Sequence, residues 1–136
     1  MPKVGMEPIR RAALVKATIA EIGAAGSLDV TVSQIAKRAG MSSALAHHYF
    51  GGKDQIFVAA MRHILSEYSA EVRAELSQAT EPAARARAII RASFARSCFA
   101  PATVCAWMTF YAQAQTNPEA LHLLHIYQRR LRSNLT

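Results

Sequence analysis

The sequence predicts an all-α protein, on three observations. Hydrophobic residues make up 51% of 136 positions, alanine is abundant, and no stretch alternates apolar and polar residues as a strand does. Apolar positions recur instead three and four apart. Helix-starting and helix-stopping residues punctuate the chain: Pro8, Thr31, Ser42, Pro82, Pro101 and Pro118 at starts, Gly26 and Gly40 at stops. The architecture expected is a three-helix N-terminal head, joined by a long helix to a partial C-terminal helical regulatory domain.

Met1 to Glu7 reads as a short arm containing Lys3. Pro8 suits the first turn of a helix spanning Ile9 to about Ala25, with Leu14, Val15, Thr18, Ile19 and Ile22 inward and Gly26 closing it. Arg10 and Arg11 stand near its start, against the helix dipole. A polyanion would relieve that conflict; plain solvated surface explains the two residues equally well.

Thr31 and Gln34 have the spacing of a capping box, in which hydroxyl and amide each satisfy a free N–H at a helix start. Ile35, Ala36 and Ala39 follow as an apolar face. Gly40 then sits where a first short helix must stop, at a positive φ that glycine adopts cheaply. Met41 plugs the turn, and Ser42 caps a second helix over Ser43 to Phe50. Ala46 and Phe50, four apart, face inward. Ser43, Ala44, Leu45, His47 and His48 are left facing outward, small and almost uncharged.

From Lys53 a longer helix runs to about Ala79 on the stripe Ile56, Phe57, Ala60, Met61, Ile64, Leu65, Tyr68, Val72 and Leu76. The head is expected over residues 1–65 and the second domain over 66–136, with the boundary inside this helix. Thr80-Glu81-Pro82 is the first clear break. Pro82 to about Phe99 reads as a basic helix with Arg85, Arg87, Arg91 and Arg96. Pro101 opens another, to Gln115, with Val104, Trp107, Met108 and Tyr111 on one face. Asn117-Pro118 turns into a last helix, Glu119 to Arg132, apolar nearly all round and so expected to be buried by neighbours.

The two short helices around Gly40 read as a helix-turn-helix, or as an ordinary αα-hairpin; spacing alone leaves both open. Charge leans toward the first. The net charge is +7, with seven Lys/Arg against three Asp/Glu through Lys53 and nine against six beyond it. A basic excess denser at the N-terminus is the electrostatic footprint of a nucleic-acid binder. On that reading Thr31, Ser42, His48, Tyr49 and Lys53 suit phosphates, with Lys3, Arg10 and Arg11 adding to them. Ser43, Ala44, Leu45 and His47 suit base edges, Ala44 or Leu45 meeting a thymine methyl.

Other chemistry is poorly supported. No phosphate loop, nucleophile elbow or carboxylate pair is present, so no enzyme is expected. His122 and His125 lie near Cys98 or Cys105 only by conjecture; without HExxH or CxxC spacing no metal is expected, and no cofactor. The two cysteines suit small buried hydrophobes in a reducing compartment. No signal peptide and no membrane-length apolar run is visible, so a cytoplasmic protein is expected.

The string IAKRAGMS followed by HHYFGGKDQI resembles the signature of TetR-type transcription regulators, and Thr31, Ile35, Ala36, Ala39, Gly40, Met41, Ser42, Tyr49, Phe50 and Lys53 all fit it. Ala44, where many members carry glycine, and His47, where many carry tyrosine, depart from it on the expected DNA face. PKVGMEPIRRAAL, FAPATVCAWMTFYAQAQ and RRLRSNL extend the resemblance to the branch that represses choline-to-glycine-betaine genes. That resemblance implies a repressor on double-stranded DNA, a palindromic operator, a homodimer in the full-length form, and choline as small-molecule effector. It also implies that two further helices are missing here. An aromatic cage for choline would draw on Trp107 and Tyr111, with Phe94, Phe110 and Tyr127 behind them; the same aromatic stripe also suits plain core. Two alternatives stand beside this: a TetR-type regulator of another ligand, and a truncated helical protein that docks on a full-length relative.

Overall fold

The computed structural model describes residues 6–26 and 29–135. Lys3 with its arm, and Ser27 at the start of the first connection, lie outside the described residues. Seven α-helices follow in order: α1 (Met6–Ala25), α2 (Val32–Arg38), α3 (Ser43–Phe50), α4 (Lys53–Leu76), α5 (Pro82–Ser93), α6 (Pro101–Gln113) and α7 (Pro118–Leu135). One turn of 3-10 helix, Arg96–Phe99, joins α5 to α6, and no strand occurs among the described residues.

The core forms where the apolar faces converge on the first half of α4. Ile56, Phe57 and Met61 are fully buried there, against Leu14 and Ile22 of α1, Ile35 and Ala36 of α2, and Ala46 of α3. Each such side chain contributes on the order of 1.5–3 kcal/mol by leaving water. The same cluster continues without interruption into Phe110 of α6 and Leu123 and Leu124 of α7. A smaller cluster, Val72, Ile89 and Ala92, ties the second half of α4 to α5. Thr18, the one buried polar side chain among the described residues, donates its hydroxyl to the Leu14 carbonyl at 2.7 Å. No unpaired polar group is left inside on its account.

Gly23, within α1, is a point of close approach between α1 and α6. A methyl carbon on it would lie 2.5 Å from Ala102 Cβ and 2.8 Å from Ala102 Cα. The absence of a side chain at Gly23 is what lets the start of α6 rest on α1.

Four sequence expectations need correction. The first helix begins at Met6, ahead of Ile9. Helix α4 ends at Leu76 and not near Ala79: Ser77 donates its hydroxyl to the Ala74 carbonyl, a local bond that competes with helix continuation. Helix α5 stops at Ser93 and not at Phe99. Ser93 Oγ donates to the Ile89 carbonyl at 2.9 Å and lies 2.7 Å from the Tyr68 hydroxyl. Phe94 then leaves the helix at φ −108°, ψ 16° and stacks, 70% exposed, on Phe99. The last helix is not buried all round: only Ala120, Leu123 and Leu124 are buried, while Leu121 is exposed.

Candidate nucleic-acid interface

The α2–turn–α3 unit is built by local hydrogen bonds that the sequence spells out. Thr31 Oγ1 accepts from the Gln34 N–H at 3.1 Å, and Gln34 Oε1 accepts from the Thr31 N–H at 2.7 Å. At the other end of α2, Gly40 takes φ +75°. The Met41 N–H reaches the Ala36 carbonyl at 2.9 Å, and the Gly40 N–H reaches Lys37 at 3.1 Å. This pair of bonds is a Schellman stop, and it sets the sharp exit angle. Ser42 Oγ then accepts from the Leu45 N–H at 3.2 Å and starts α3. Both capping hydroxyls accept, so each keeps a proton to donate outward.

Two longer contacts fix the unit. Ser33 Oγ and Ser43 Oγ lie 2.9 Å apart and tie the starts of α2 and α3 together. Arg38 Nε donates to Glu21 Oε1 at 2.6 Å and holds α2 on α1. Ala46 is fully buried beneath α3, so the opposite face of α3 must point away from the protein.

On that outer face Ala44, His47 and His48 are exposed, and Ser43 and Leu45 are half-exposed. Ser43 is already engaged with Ser33. His47 Nδ1 is hydrogen-bonded to the Gly51 carbonyl at the end of α3, leaving its other ring nitrogen outward. His48 lies against Tyr49, with ring centroids 5.5 Å apart. Lys53 opens α4 half-exposed, beside Gly52, whose N–H donates to Gln55 Oε1 at 3.0 Å. From Thr31 to Lys53 the sequence carries Lys37, Arg38 and Lys53 and no Asp or Glu. The segment itself therefore carries only positive charge, as contact with a polyanion favours, although Glu21 of α1 pairs with Arg38 beside it.

Sequence reasoning missed what Arg10 and Arg11 do. Arg11 lies over the Phe50 ring at 4.9 Å and the Tyr49 ring at 5.7 Å, and pairs with Glu7 at 3.1 Å. Arg10 Nη1 donates to the Tyr49 hydroxyl at 3.5 Å. The two arginines clasp the end of α3 to the start of α1. No local spacing signals a contact between residues so far apart in sequence.

Of the five expected cage residues four are in ring contact, Phe110 lying behind Trp107 at 5.9 Å and Tyr111 at 6.2 Å, and Phe94 stands apart. Trp107 lies 5.2 Å from Tyr127 and 5.9 Å from Tyr111, and these three rings line an open depression with Val104, Met108 and Cys98. Phe110 is fully buried in the core, and Phe94 pairs with Phe99 instead. The face of α6 bearing Val104, Trp107, Met108 and Tyr111 is its outer one, because Ala106 and Phe110 occupy the inner one. Cys98 and Cys105 are free and half-buried, on the 3-10 turn and on α6. His122 and His125 are exposed, and no group of metal-ligating side chains forms among the described residues. No helix there is long and apolar enough to cross a membrane.

Comparison with known proteins bears on this geometry. Residues 14–60 match the family model of bacterial regulatory proteins of the tetR family. Residues 82–136 match that of the C-terminal part of BetI-type transcriptional repressors. The HTH-type transcriptional regulator BetI of Brucella suis is 54% identical over 99% of this chain. The chain belongs to the TetR family, in its BetI-type branch. BetI of Rhizobium meliloti is 53% identical over the same share. The chain spans 68% of the Brucella relative and 66% of the Rhizobium one. Transcriptional regulators solved from Pseudomonas aeruginosa PAO1 and Streptomyces coelicolor A3(2) share the fold, with TM-scores of 0.82 and 0.80 over 93% of this chain. Their identities are 23% and 24%, and the chain covers 61% and 73% of them. The family consists of DNA-binding regulators and not of enzymes, and the α2–α3 unit falls inside its N-terminal model.

Proposed function

We propose that this chain is a sequence-specific transcriptional repressor that sets α3 into the major groove of a palindromic operator. The observation that carries the reading is the capped α2–turn–α3 unit, rigidly held on α1, with a small, carboxylate-free face of α3 turned outward. Thr31, Ser42, His48, Tyr49 and Lys53 serve the phosphates; Ser43, Ala44, Leu45 and His47 face base edges. Tyr49 is positioned for its role by Arg10 and Arg11 and is not a freely mobile contact. Residues 1–65 form the DNA-binding head and 66–136 the regulatory part, with α4 crossing between them. The operator's symmetry is matched by a homodimer.

Choline is the effector of this reading, on the resemblance to repressors of choline-to-glycine-betaine genes. Trp107, Tyr111 and Tyr127 supply the ring faces that attract a quaternary ammonium. The test is fluorescence anisotropy of labelled upstream DNA, against scrambled DNA, with and without choline. Lys53→Ala should weaken all sequences alike and lower the salt slope by about 1. His47→Ala should change the sequence preference. Identical behaviour of the two variants would break the assignment of roles, and sequence-indifferent binding would break the repressor reading. A second reading, an interaction protein that docks on a longer relative, is favoured by the exposure of Ile90, Phe94, Phe99 and Met108. A stable monomer by light scattering, with no DNA binding, would favour it.

A further inference from the structure

A cleft of about 270 Å³ runs between α4 and α7 and shares Tyr127 with the ring-lined depression. The two helices run in the same direction. Tyr68 meets Tyr127 at 5.9 Å, and Leu131, further along α7, packs on the cluster of Val72, further along α4. Leu65, Leu123 and the two phenols make an apolar floor. Burial, followed by the neighbouring Tyr68 and Tyr111 phenols, pushes the Tyr127 phenol up to about 12, so this wall stays neutral.

The rim is charged, and with one sign. Arg62, Arg73 and Arg130 line the cleft and no Asp or Glu does. None of the three guanidinium groups enters an ion pair among the described residues. Three carboxylates of α4 are engaged elsewhere, Glu67 with His63, Glu75 with Arg91 and Glu71 as acceptor from Ser97, and the fourth, Asp54, lies in its first turn. The Tyr68–Tyr127 contact, with Val72 and Leu131 lining the cleft beyond it, puts Arg73 and Arg130 toward the same end. Two unpaired guanidinium forks there offer planar donors matched to a carboxylate. A cation such as choline would meet like charge. The volume lies just under the ~300–1,000 Å³ of drug-sized sites, which selects a small ligand.

We propose that the α4–α7 cleft binds a small amphipathic carboxylate, its head between Arg73 and Arg130 and its apolar body over Leu65, Tyr68 and Tyr127. This site goes beyond the DNA reading and stands without it. The test is calorimetric titration of the whole chain with benzoate, benzyl alcohol and choline, in the absence of DNA. Benzoate should saturate one site, weaken as salt screens the exposed arginines, and bind about tenfold or more tighter than benzyl alcohol, the factor expected of charged hydrogen bonds. The double variant R73Q/R130Q should lose about tenfold or more in benzoate affinity. R87Q, exposed on α5 away from the cleft, should lose none. All three side chains are exposed, and circular dichroism verifies that each variant stays folded. Equal binding of benzyl alcohol, competition by choline, full affinity in folded R73Q/R130Q, or heat without saturation would each overturn the proposal. DNA binding is read in a separate experiment, so its failure leaves this one intact.

Discussion

Replacing Gly23 by alanine tests whether the junction between α1 and α6 is as tight as the geometry says. Helix propensity alone predicts that Gly23→Ala, in the body of α1, stabilises by up to ~1 kcal/mol. The tertiary contact predicts the reverse. The new methyl would meet Ala102 Cβ at 2.5 Å and Cα at 2.8 Å, where ordinary carbon contacts lie at about 3.5–4.0 Å. The obstacle is a backbone and the first side-chain atom, neither of which can rotate away, so α6 must move by about 1 Å. Overpacking of this kind costs about 1–3 kcal/mol. Subtracting the propensity gain leaves a net destabilisation of about 1 kcal/mol, read as a fall of about 4 °C in Tm. The assay is thermal melting followed by circular dichroism, on Gly23→Ala, Ala102→Gly and the double variant. Removing the Ala102 methyl relieves the closer of the two clashes and leaves the one with Cα at 2.8 Å, so the double variant should be more stable than the two single losses sum to, by up to about 1 kcal/mol. A stabilised Gly23→Ala, or strict additivity, would refute the reasoning.

Other perturbations separate packing from contact with DNA. Arg11→Ala removes the guanidinium from the faces of Phe50 and Tyr49 and should cost about 0.5–2 kcal/mol in denaturant titration. Its DNA affinity should fall without a change in salt slope; a slope lowered by about 1 would make Arg11 a phosphate contact instead. Arg11→Lys should not restore the loss, because the planar stack is absent. Thr31→Ala removes one half of the capping box and should cost about 1 kcal/mol, seen as a lower melting temperature. Tyr127 gives a pH prediction. Its folded pKa, about 12, stands above the ordinary tyrosine value of 10. The folded state therefore keeps a proton that the unfolded state loses. That stabilisation is complete below pH ~10 and is lost as pH rises toward 12. An ultraviolet tyrosinate titration should show one late-ionising phenol, absent in Tyr127→Phe; an unchanged curve would contradict it.

The parts of this protein legible in the sequence are those decided within one helical turn. Thr31 with Gln34, Gly40 with its positive φ, and Ser42 set α2, the turn and α3, because the hydrogen bonds concerned join residues three to five apart. Asn117 acts at still shorter range: its side chain accepts from the Glu119 N–H, two residues on, at 3.0 Å and starts α7. Family membership was legible for a related reason: the signature residues sit together in one short stretch.

Tertiary structure decided the rest. Helix α5 stops at Ser93 beside a tyrosine of α4, without a glycine or proline to announce it. Gly23 reads as an ordinary helix residue until Ala102 comes against it. The contacts of Arg10 and Arg11 with Tyr49 and Phe50 exist only once α3 folds against α1. The apolar faces of α6 show the same limit. Periodicity places Val104, Trp107, Met108 and Tyr111 on a common stripe, but the stripe turns outward because α1, α4 and α7 meet the side bearing Ala106 and Phe110. Spacing along a helix sets which side chains share a face; only the neighbours that fold against that helix determine which face is inside.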